Sequence, residues 1–315
     1  MLAMLFLSLV CSGFINCEMY NIISSLIEPC PIEPCLTLSQ FAANTNIYLD
    51  LNTTLIFQPG SHVMNSTLIV ENTTTFSMVS QSVHTLSAVV ICNETSNLHF
   101  DTVGNVFVSN LKFYKCRKNI LTAVDQFNLE NASFVGKHSR GNTIELLGTT
   151  AKILDTSFVN LNRAAEVPYS EQDSTIRAAM SNLILVRCTF NDSAAVMLGE
   201  LKSNITIIQS SFEENNPFDS VLLFKSQCNV IILNSTFHNS YNYVALFVSN
   251  SAAVIGTQVV KKLVIMGSKI RNNGVRPEHT NIGRLSVIRA QLTNCLLYTS
   301  PSPRDATLSR MPSSA

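Results

Sequence analysis

Apolar and polar residues alternate in a block that recurs down most of the chain. The block is clearest at residues 205–215, ITIIQSSFEEN, and its relatives end at a large apolar residue, here called the anchor. The anchors are Phe113, Phe134, Phe158, Phe190, Phe212, Phe237 and Ile270. They lie 21, 24, 32, 22, 25 and 33 residues apart. A repeat of this period predicts a stacked architecture, in which each unit buries its apolar face against its neighbours.

Each block reads as a strand, a tight bend and a second strand. The residues seven and five before the anchor are apolar, as Ile205 and Ile207 are before Phe212, so both point to one side of a strand. Three before the anchor stands Asn, Asp or Gly in most copies, and these residues enter the left-handed backbone region cheaply. Two before it the residue is mostly small, which places it and the anchor inside.

A third apolar run lies earlier in most blocks, at residues 144–147, 194–198, 221–224 and 244–248. Three short strands per repeat predict an all-β fold, a single-stranded right-handed parallel β-helix with coils of roughly 21–25 residues. The runs are rich in Val, Ile, Thr and Phe, which excludes a helical solenoid. Asn recurs just past the anchors at 160, 215, 239 and 272, which indicates either turns or stacked amide ladders.

The chain begins with an apolar run that precedes the repeats. Residues 1–17, MLAMLFLSLVCSGFINC, predict a secretory signal peptide, and residues 18–45 an N-terminal cap region. Thr37 and Gln40 have the spacing of a capping box for one short helix over residues 38–43. Because the first coil of a β-helix would otherwise offer bare strand edges, this helix is expected to cover it. The β-helix itself is expected over residues 46–294.

Three stretches of the N-terminal half resemble a known family: CLTLSQFA, LIFQPGSHVMNSTLIVENTTTFSMVS and ICNETSNLHFDTVGNVFVSNLKFYKC. They look like the right-handed parallel β-helix ectodomains of extracellular proteins of invertebrate animals. The resemblance covers roughly residues 30–290 and implies a pectin lyase-like fold, secretion and a repeat-rich extracellular region. It implies no catalytic residues, because the family offers no active-site motif to carry over.

Residues 295–315, CLLYTSPSPRDATLSRMPSSA, drop the repeat and turn rich in Pro and Ser. They resemble translated sequencing-adapter read-through, in which TGT CTC TTA TAC ACA TCT encodes CLLYTS. The segment is therefore expected to be a non-native tail, with the natural β-helix truncated after Asn294 as a fragment.

Modification signals agree with an extracellular protein. Eight Asn-x-Ser/Thr sequons make surface N-glycosylation expected, at Asn52, Asn65, Asn72, Asn93, Asn131, Asn191, Asn204 and Asn234. Six cysteines outside the two ends allow fifteen disulfide connectivities. The sequence favours two local pairs, Cys30 with Cys35 and Cys92 with Cys116.

Charge and composition exclude several functions. Lys and Arg number 21 and Asp and Glu 21, and 13% of residues are charged, so the chain has no electrostatic footprint for nucleic acid. Its six His are scattered and it lacks paired CxxC motifs, so neither a metal site nor a cofactor is expected. After residue 17, no apolar run approaches the ~20 residues of a spanning helix.

Two main functions follow from these observations. The first is a non-catalytic secreted or cell-surface module for recognition, adhesion or structure, with carbohydrate or extracellular protein as its partner. The alternative is a polysaccharide lyase or hydrolase, chemistry that needs clustered carboxylates, often with a basic residue. Ice or mineral binding ranks last, because no regular outward Thr column exists.

The two longest coils carry the main candidates for a site, because the one acidic doublet, Glu213–Glu214, is typical of a solvated turn. The most charged stretch of the chain lies between Phe158 and Phe190, where the loop residues either converge on one site or form an ordinary charged loop; they are Arg163, Glu166, Glu171, Asp173 and Arg177. The second long coil, around SNSAAVIGTQVVKK, lies between Phe237 and Ile270. Insertions in solenoids project as loops, often on the functional side. No catalytic residue is assigned by the sequence.

Overall fold

The computed structural model describes part of the chain. The described residues are 18–24, 35–43, 52–71, 73–82, 86–93, 98–101, 103–116, 120–136, 142–161, 174–193, 196–215, 220–225, 228–239, 243–248, 262–271, 288–290 and 295–297. The predicted signal peptide and most of the predicted tail lie outside them.

The strands of the described residues form three long parallel sheets, here called A, B and C. Sheet A contains β1 (Glu18–Ile23), β2 (Cys35–Thr37), β3 (Asn52–Phe57), β6 (Thr75–Ser80), β9 (Asn105–Ser109), β12 (Gln126–Glu130), β15 (Thr150–Leu154), β18 (Asn182–Val186), β21 (Asn204–Ile208), β24 (Asn229–Leu233), β27 (Lys262–Met266) and β30 (Cys295–Leu297). Sheet B contains β4 (Gly60–Met64), β7 (Ala88–Cys92), β10 (Leu111–Tyr114), β13 (Ser133–Val135), β16 (Ser157–Val159), β19 (Thr189–Asn191), β22 (Ser211–Glu213), β25 (Thr236–His238) and β28 (Lys269–Arg271). Sheet C contains β5 (Leu68–Glu71), β8 (Leu98–Asp101), β11 (Ile120–Ala123), β14 (Ile144–Leu147), β17 (Ile176–Ala179), β20 (Met197–Glu200), β23 (Ser220–Lys225), β26 (Tyr243–Val248) and β29 (Ile288–Ala290).

The chain visits the sheets in the order A, B, C and then repeats. From β3 to β27, each strand pairs in parallel with the strand three places later, so one coil stacks on the next. The described residues therefore form a parallel β-helix, with one short α-helix among their elements. The predicted fold class is confirmed. Each sheet buries only its inward face, so buried and more exposed positions alternate along its strands.

The anchors occupy one column inside sheet B. The seven predicted anchors pair in register from β10 to β28. Their phenyl rings stack with centroids 4.5 Å to 5.1 Å apart and planes within 10°. Toward the N-terminus, Val90 and His62 continue the column, because Phe113 pairs with Val90 and Val90 with His62. The column is therefore the spine of the core.

The corner between sheets A and B has the backbone that the sequence predicts. The residue three before each anchor has a φ between 47° and 62°, and the seven are Asn110, Asn131, Asp155, Arg187, Gln209, Asn234 and Gly267. The next residue is small because it points inward and closes a hydroxyl ladder. Ser210 Oγ accepts the Cys188 N–H at 3.2 Å, and Ser235 Oγ accepts the Ser210 N–H at 3.2 Å. A hydroxyl at this position thus accepts a hydrogen bond from the backbone N–H of the coil before it.

Asparagine amides also form ladders, at positions other than those predicted. Asn204 Nδ2 donates to Asn182 Oδ1 and Asn229 Nδ2 to Asn204 Oδ1, both at 2.7 Å, at the start of sheet A strands. Past the anchors, Asn160 and Asn239 adopt positive φ instead, while Asn272 lies outside the described residues. Asn215 is buried there and bonds the backbone of Ser193 and Phe190.

Helix α1 (Leu38–Ala43) covers the first coils as expected. Gln40 Oε1 accepts the Thr37 N–H at 2.8 Å and Thr37 Oγ1 accepts the Gln40 N–H at 3.2 Å, which completes the capping box. Leu38, Phe41 and Ala42 are buried, and Phe41 meets Tyr20 edge-on at 5.3 Å.

The cysteines and the end of the described chain complete the fold. Cys92 and Cys116 form a disulfide between adjacent coils, with Cα atoms 4.6 Å apart. Cys35 is disulfide-bonded too, and Cys30, its expected partner, lies outside the described residues. The first three residues of the predicted tail form β30 and pair with β27, since Cys-Leu-Leu is apolar enough to extend a sheet edge.

Candidate functional site

The described charges converge most closely on the outer face of sheet C. Glu145 on β14 and Arg177 on β17 are paired in register, and their side chains alternate with inward residues, so both point outward. Arg177 Nη1 lies 2.5 Å from Glu145 Oε1. Arg177 Nε and Nη2 both donate to Glu200 Oε2 on β20, at 3.0 Å and 2.9 Å. One guanidinium therefore bridges two carboxylates, and the three side chains come from three successive coils.

This cluster is partly buried. The side-chain exposed fractions are 24% for Arg177, 34% for Glu145 and 15% for Glu200. Burial by itself lowers the pKa of Arg177, but the hydrogen bonds and charges of Glu200 and Glu145 outweigh burial and raise the pKa above its usual value. The guanidinium therefore stays charged.

Apolar residues form the wall beside the cluster. Leu198 and Leu223 follow Arg177 in the outward register column, yet they are only 1% and 6% exposed. Gly199 lies between Leu198 and Glu200, and a Cβ there would lie 2.6 Å from Ile205 Cδ1 and 2.8 Å from Phe224 Cδ1. The glycine lets core side chains rise directly beneath the cluster.

A buried amide links the cluster to the long insertion. Asn142 is 7% exposed; its Oδ1 accepts the Ser174 N–H at 2.9 Å, and its Nδ2 lies 3.4 Å from Glu145 Oε2. Ser174 is the first described residue after the insertion, which connects β16 to β17. The base of the insertion is thus held beside Glu145.

Both insertions that the sequence singles out adjoin sheet C. Residues 160–175 run from β16 to β17, and residues 249–261 run from β26 to β27. Corners between sheets A and B, by contrast, contain one or two residues from β9 onward. Chain length varies beside sheet C, where solenoid insertions add loops to one face.

The predicted group of charged loop residues is only partly described. Arg177 lies on strand β17, not in the loop, because it continues the alternation of Ile176 and Ala178. Arg163, Glu166, Glu171 and Asp173 lie outside the described residues. Glu145 and Glu200 were missed by sequence reasoning. They are 32 and 23 residues from Arg177 in sequence. The one sequence feature that pointed to Glu145 was its polar position inside the apolar run 144–147.

Two further pairs of acidic and basic side chains lie outside sheet C. Arg187 Nε and Nη2 contact the two Asp155 carboxylate oxygens at 2.6 Å each, in the corner between sheets A and B. The Arg187 hydrogen bonds lower the pKa of Asp155. Asp192 lies in a different corner, and Glu213 of the Glu213–Glu214 doublet is 3.7 Å from His238.

The sequons lie on the strands and corners of sheets A and B or directly after strands. Asn65, Asn93, Asn204 and Asn234 are exposed, Asn52, Asn131 and Asn191 are half-buried, and Asn72 lies outside the described residues. Asn131 Nδ2 donates to Asn110 Oδ1 at 2.6 Å. None of the seven described sequon Asn belongs to a strand of sheet C.

Two general features complete this description. Among the described residues, no three His, Cys, Asp or Glu side chains group as metal ligands. No helix in the same part of the chain is long and apolar enough to cross a membrane.

The fold and the cluster together define a class: a parallel β-helix with two carboxylates and an arginine on one sheet. The structure is similar to that of an alginate lyase from Paenibacillus sp. str. FPU-7, with 11% identity, a TM-score of 0.52, and coverage of 82% of this chain and 98% of that one. At this identity the likeness shows the fold.

Two further solved structures have TM-scores below that needed to argue a shared fold. One is a mannuronic acid specific family 6 polysaccharide lyase from human gut microbiota, with 10% identity, a TM-score of 0.41, and coverage of 89% and 82%. The other is the catalytic domain of a GH87 α-1,3-glucanase, with 10% identity, a TM-score of 0.26, and coverage of 87% and 69%. No protein-family model matches the chain, and no curated protein matches it either.

These comparisons correct the first functional expectation. A non-catalytic recognition, adhesion or structural module was expected, but the solved structure whose fold resembles that of the chain is an alginate lyase. Even coils and low charge, on which the expectation rested, describe the scaffold, whereas function depends on a few side chains placed on it. The comparison favours the alternative, a polysaccharide lyase or hydrolase.

Proposed function

We propose that the chain is a secreted enzyme that cleaves a polysaccharide, as a lyase or a hydrolase, on the outer face of sheet C. The observation that carries the proposal is the contact of Arg177 with Glu145 and Glu200. Paired carboxylates supply the acid and base of glycosidic cleavage, and a cation beside them stabilises developing negative charge. The three side chains come from three stacked strands, and a rigid scaffold suits catalytic positioning.

The position of the insertions supports this choice of face. Residues 160–175 lead directly into β17, and the hydrogen bond from Ser174 to Asn142 ends the insertion beside the cluster. Loops beside a rigid sheet commonly supply the walls of a binding site. The extended sheet surface suits a linear polysaccharide that spans several coils.

The distribution of the sequons supports the same face. N-glycans are bulky, and those attached to Asn52, Asn191 or Asn204 would occupy strands of sheets A and B. None of the sequon Asn that the structure describes lies on a sheet C strand, so glycans at those positions would leave the outer face of sheet C open to a carbohydrate partner. This argument applies to a secreted protein, as the predicted signal peptide indicates.

The test is an activity assay on a panel of polysaccharides. Protein secreted from eukaryotic cells is incubated with glucans, mannans, alginate and polygalacturonate. Elimination creates a double bond that absorbs ultraviolet light, whereas hydrolysis releases reducing ends without that absorbance. Activity on one member of the panel is expected.

Two matched arginine variants locate the site. Arg177→Gln is expected to reduce the turnover rate by roughly a hundredfold, because Glu145 and Glu200 lose the guanidinium that holds both carboxylates in position. Arg187→Gln removes another ion-paired arginine, from the corner between sheets A and B, and is expected to retain full activity. Equal activity in both variants, or no activity of the wild-type protein on any polysaccharide, would refute the proposal.

A further inference from the structure

The strands of sheet C carry more carboxylates than cations. Glu71 on β5 and Asp101 on β8 are paired in register and stack one coil apart. Glu145 and Glu200 flank Arg177 further along the same face. The seven sheet C strands from β5 to β23 contain these four carboxylates and two cationic side chains, Arg177 and Lys225.

The arginine of the site is already neutralised by the protein. Its Nε, Nη1 and Nη2 atoms all donate to Glu145 or Glu200. A uronic acid polymer carries one carboxylate per sugar, and elimination requires that this charge be neutralised while the neighbouring carbon loses its proton. Each Nη atom keeps one further N–H group, but a uronate carboxylate bound there would be the third carboxylate around a single guanidinium, an arrangement with excess negative charge in a partly buried site.

We infer that the substrate is a neutral polysaccharide cleaved by hydrolysis, not a polyuronate cleaved by elimination. This inference rests on the proposed function and concerns the same site. In hydrolysis, one carboxylic acid donates its proton to the glycosidic oxygen as the bond from that oxygen to the anomeric carbon breaks. The second carboxylate takes a proton from the water whose oxygen bonds to that carbon. Atoms balance with water as the one co-reactant.

Electrostatics provide the selectivity. An acidic face repels a polyanion at low ionic strength, and salt weakens that repulsion. A neutral glycan binds by hydrogen bonds and apolar contact, so its affinity is insensitive to salt. The two substrate classes therefore differ in affinity and also in the sign of the salt effect.

The test compares oligosaccharides of equal length by calorimetry on the whole protein. Neutral glucose and mannose oligomers are measured beside mannuronate and galacturonate oligomers, at low and high salt. The dissociation constant of the best neutral oligomer is expected to be at least roughly tenfold lower than that of either uronate at low salt, and the gap is expected to narrow with salt. Hydrolysis of the neutral oligomer is expected, with no ultraviolet-absorbing product from the uronates.

A charge variant isolates the cause. Glu71→Gln with Asp101→Asn removes two negative charges two or more coils from Arg177, and should strengthen uronate binding several-fold while leaving neutral binding within about twofold. Tight uronate binding that weakens with salt would overturn the inference and retain the proposed function. Failure of every oligosaccharide to bind or be cleaved would overturn the proposed function itself.

Discussion

The rings of Phe158 and Phe190 stack face to face, with centroids 4.7 Å apart and planes within 2°. Residues 160–175, the insertion between β16 and β17, separate them in sequence, and yet their rings pack as closely as those of Phe190 and Phe212, which are 22 residues apart. The insertion therefore leaves the coil undisturbed, and the core column is independent of what is attached beside sheet C. This separation lets a rigid scaffold carry a variable face.

The anchor column is expected to dominate stability. Phe212 is fully buried between Phe190 and Phe237, so Phe212→Ala should lower the free energy of unfolding by about 3–5 kcal/mol. Denaturant titration measures the change. Lys152→Ala, on the exposed face of sheet A, should change it by less than about 0.5 kcal/mol. Similar small effects of the two substitutions would contradict the inward placement of the column.

The charged cluster should stabilise the fold as well as form the site. Arg177→Gln leaves the carboxylate of Glu200, which is 15% exposed, without its charged partner and should cost about 1–3 kcal/mol. Arg187→Gln should have the same melting temperature as the wild type, because the Arg187–Asp155 ion pair is exposed. Gln209 already occupies the same corner one coil later. Thermal melting of the two variants distinguishes them, and a larger loss for Arg187→Gln would contradict the account.

His62 should make the N-terminal coils sensitive to acid. Burial lowers the pKa of His62 below the ordinary value of 6.5 and outweighs the contact of Nε2 with the Gln58 carbonyl oxygen at 2.7 Å, which favours the protonated ring. Below that value the unfolded chain binds the proton and the folded chain binds it less, so the free energy of unfolding falls as pH falls. The loss begins as pH drops through 6.5.

The variant His62→Phe tests this dependence, since the ring lies in the anchor column 5.2 Å from Phe57. The difference in unfolding free energy between the variant and the wild type should shift in favour of the variant between about pH 7 and about pH 5. A difference that stays constant over this range would show that the pKa of His62 is the same in the folded and unfolded chains, contrary to the prediction.

Cys188 should behave as a structural residue. Burial raises the pKa of its thiol to about 11, so little thiolate forms at neutral pH, and alkylation should require denaturant. Its Sγ lies 3.4 Å from the Ile153 carbonyl oxygen, in the position that Ser210 takes one coil later. Cys188→Ser should therefore change the unfolding free energy by less than about 1 kcal/mol. Rapid labelling of Cys188 in the folded protein would contradict its burial.

The sequence predicted the scaffold because the scaffold is local and repeated. The Phe spacing, the left-handed corner residues and the capping box of Thr37 and Gln40 each have a short-range physical cause, and each is present as expected. The Glu145–Arg177–Glu200 cluster could not be predicted in this way. It depends on the register of three strands whose connecting segments differ in length, and register fixes which polar side chains meet.

The central claim is that the polysaccharide site lies on the outer face of sheet C. The most direct test is a crystal structure of a slow variant, such as Glu200→Gln, soaked with an oligosaccharide that the wild-type protein cleaves. The sugar chain should lie along sheet C, with a glycosidic oxygen within hydrogen-bond distance of Glu145 or of residue 200. A sugar chain bound to the outer face of sheet A or sheet B, with Glu145 and Arg177 uncontacted, would contradict the claim.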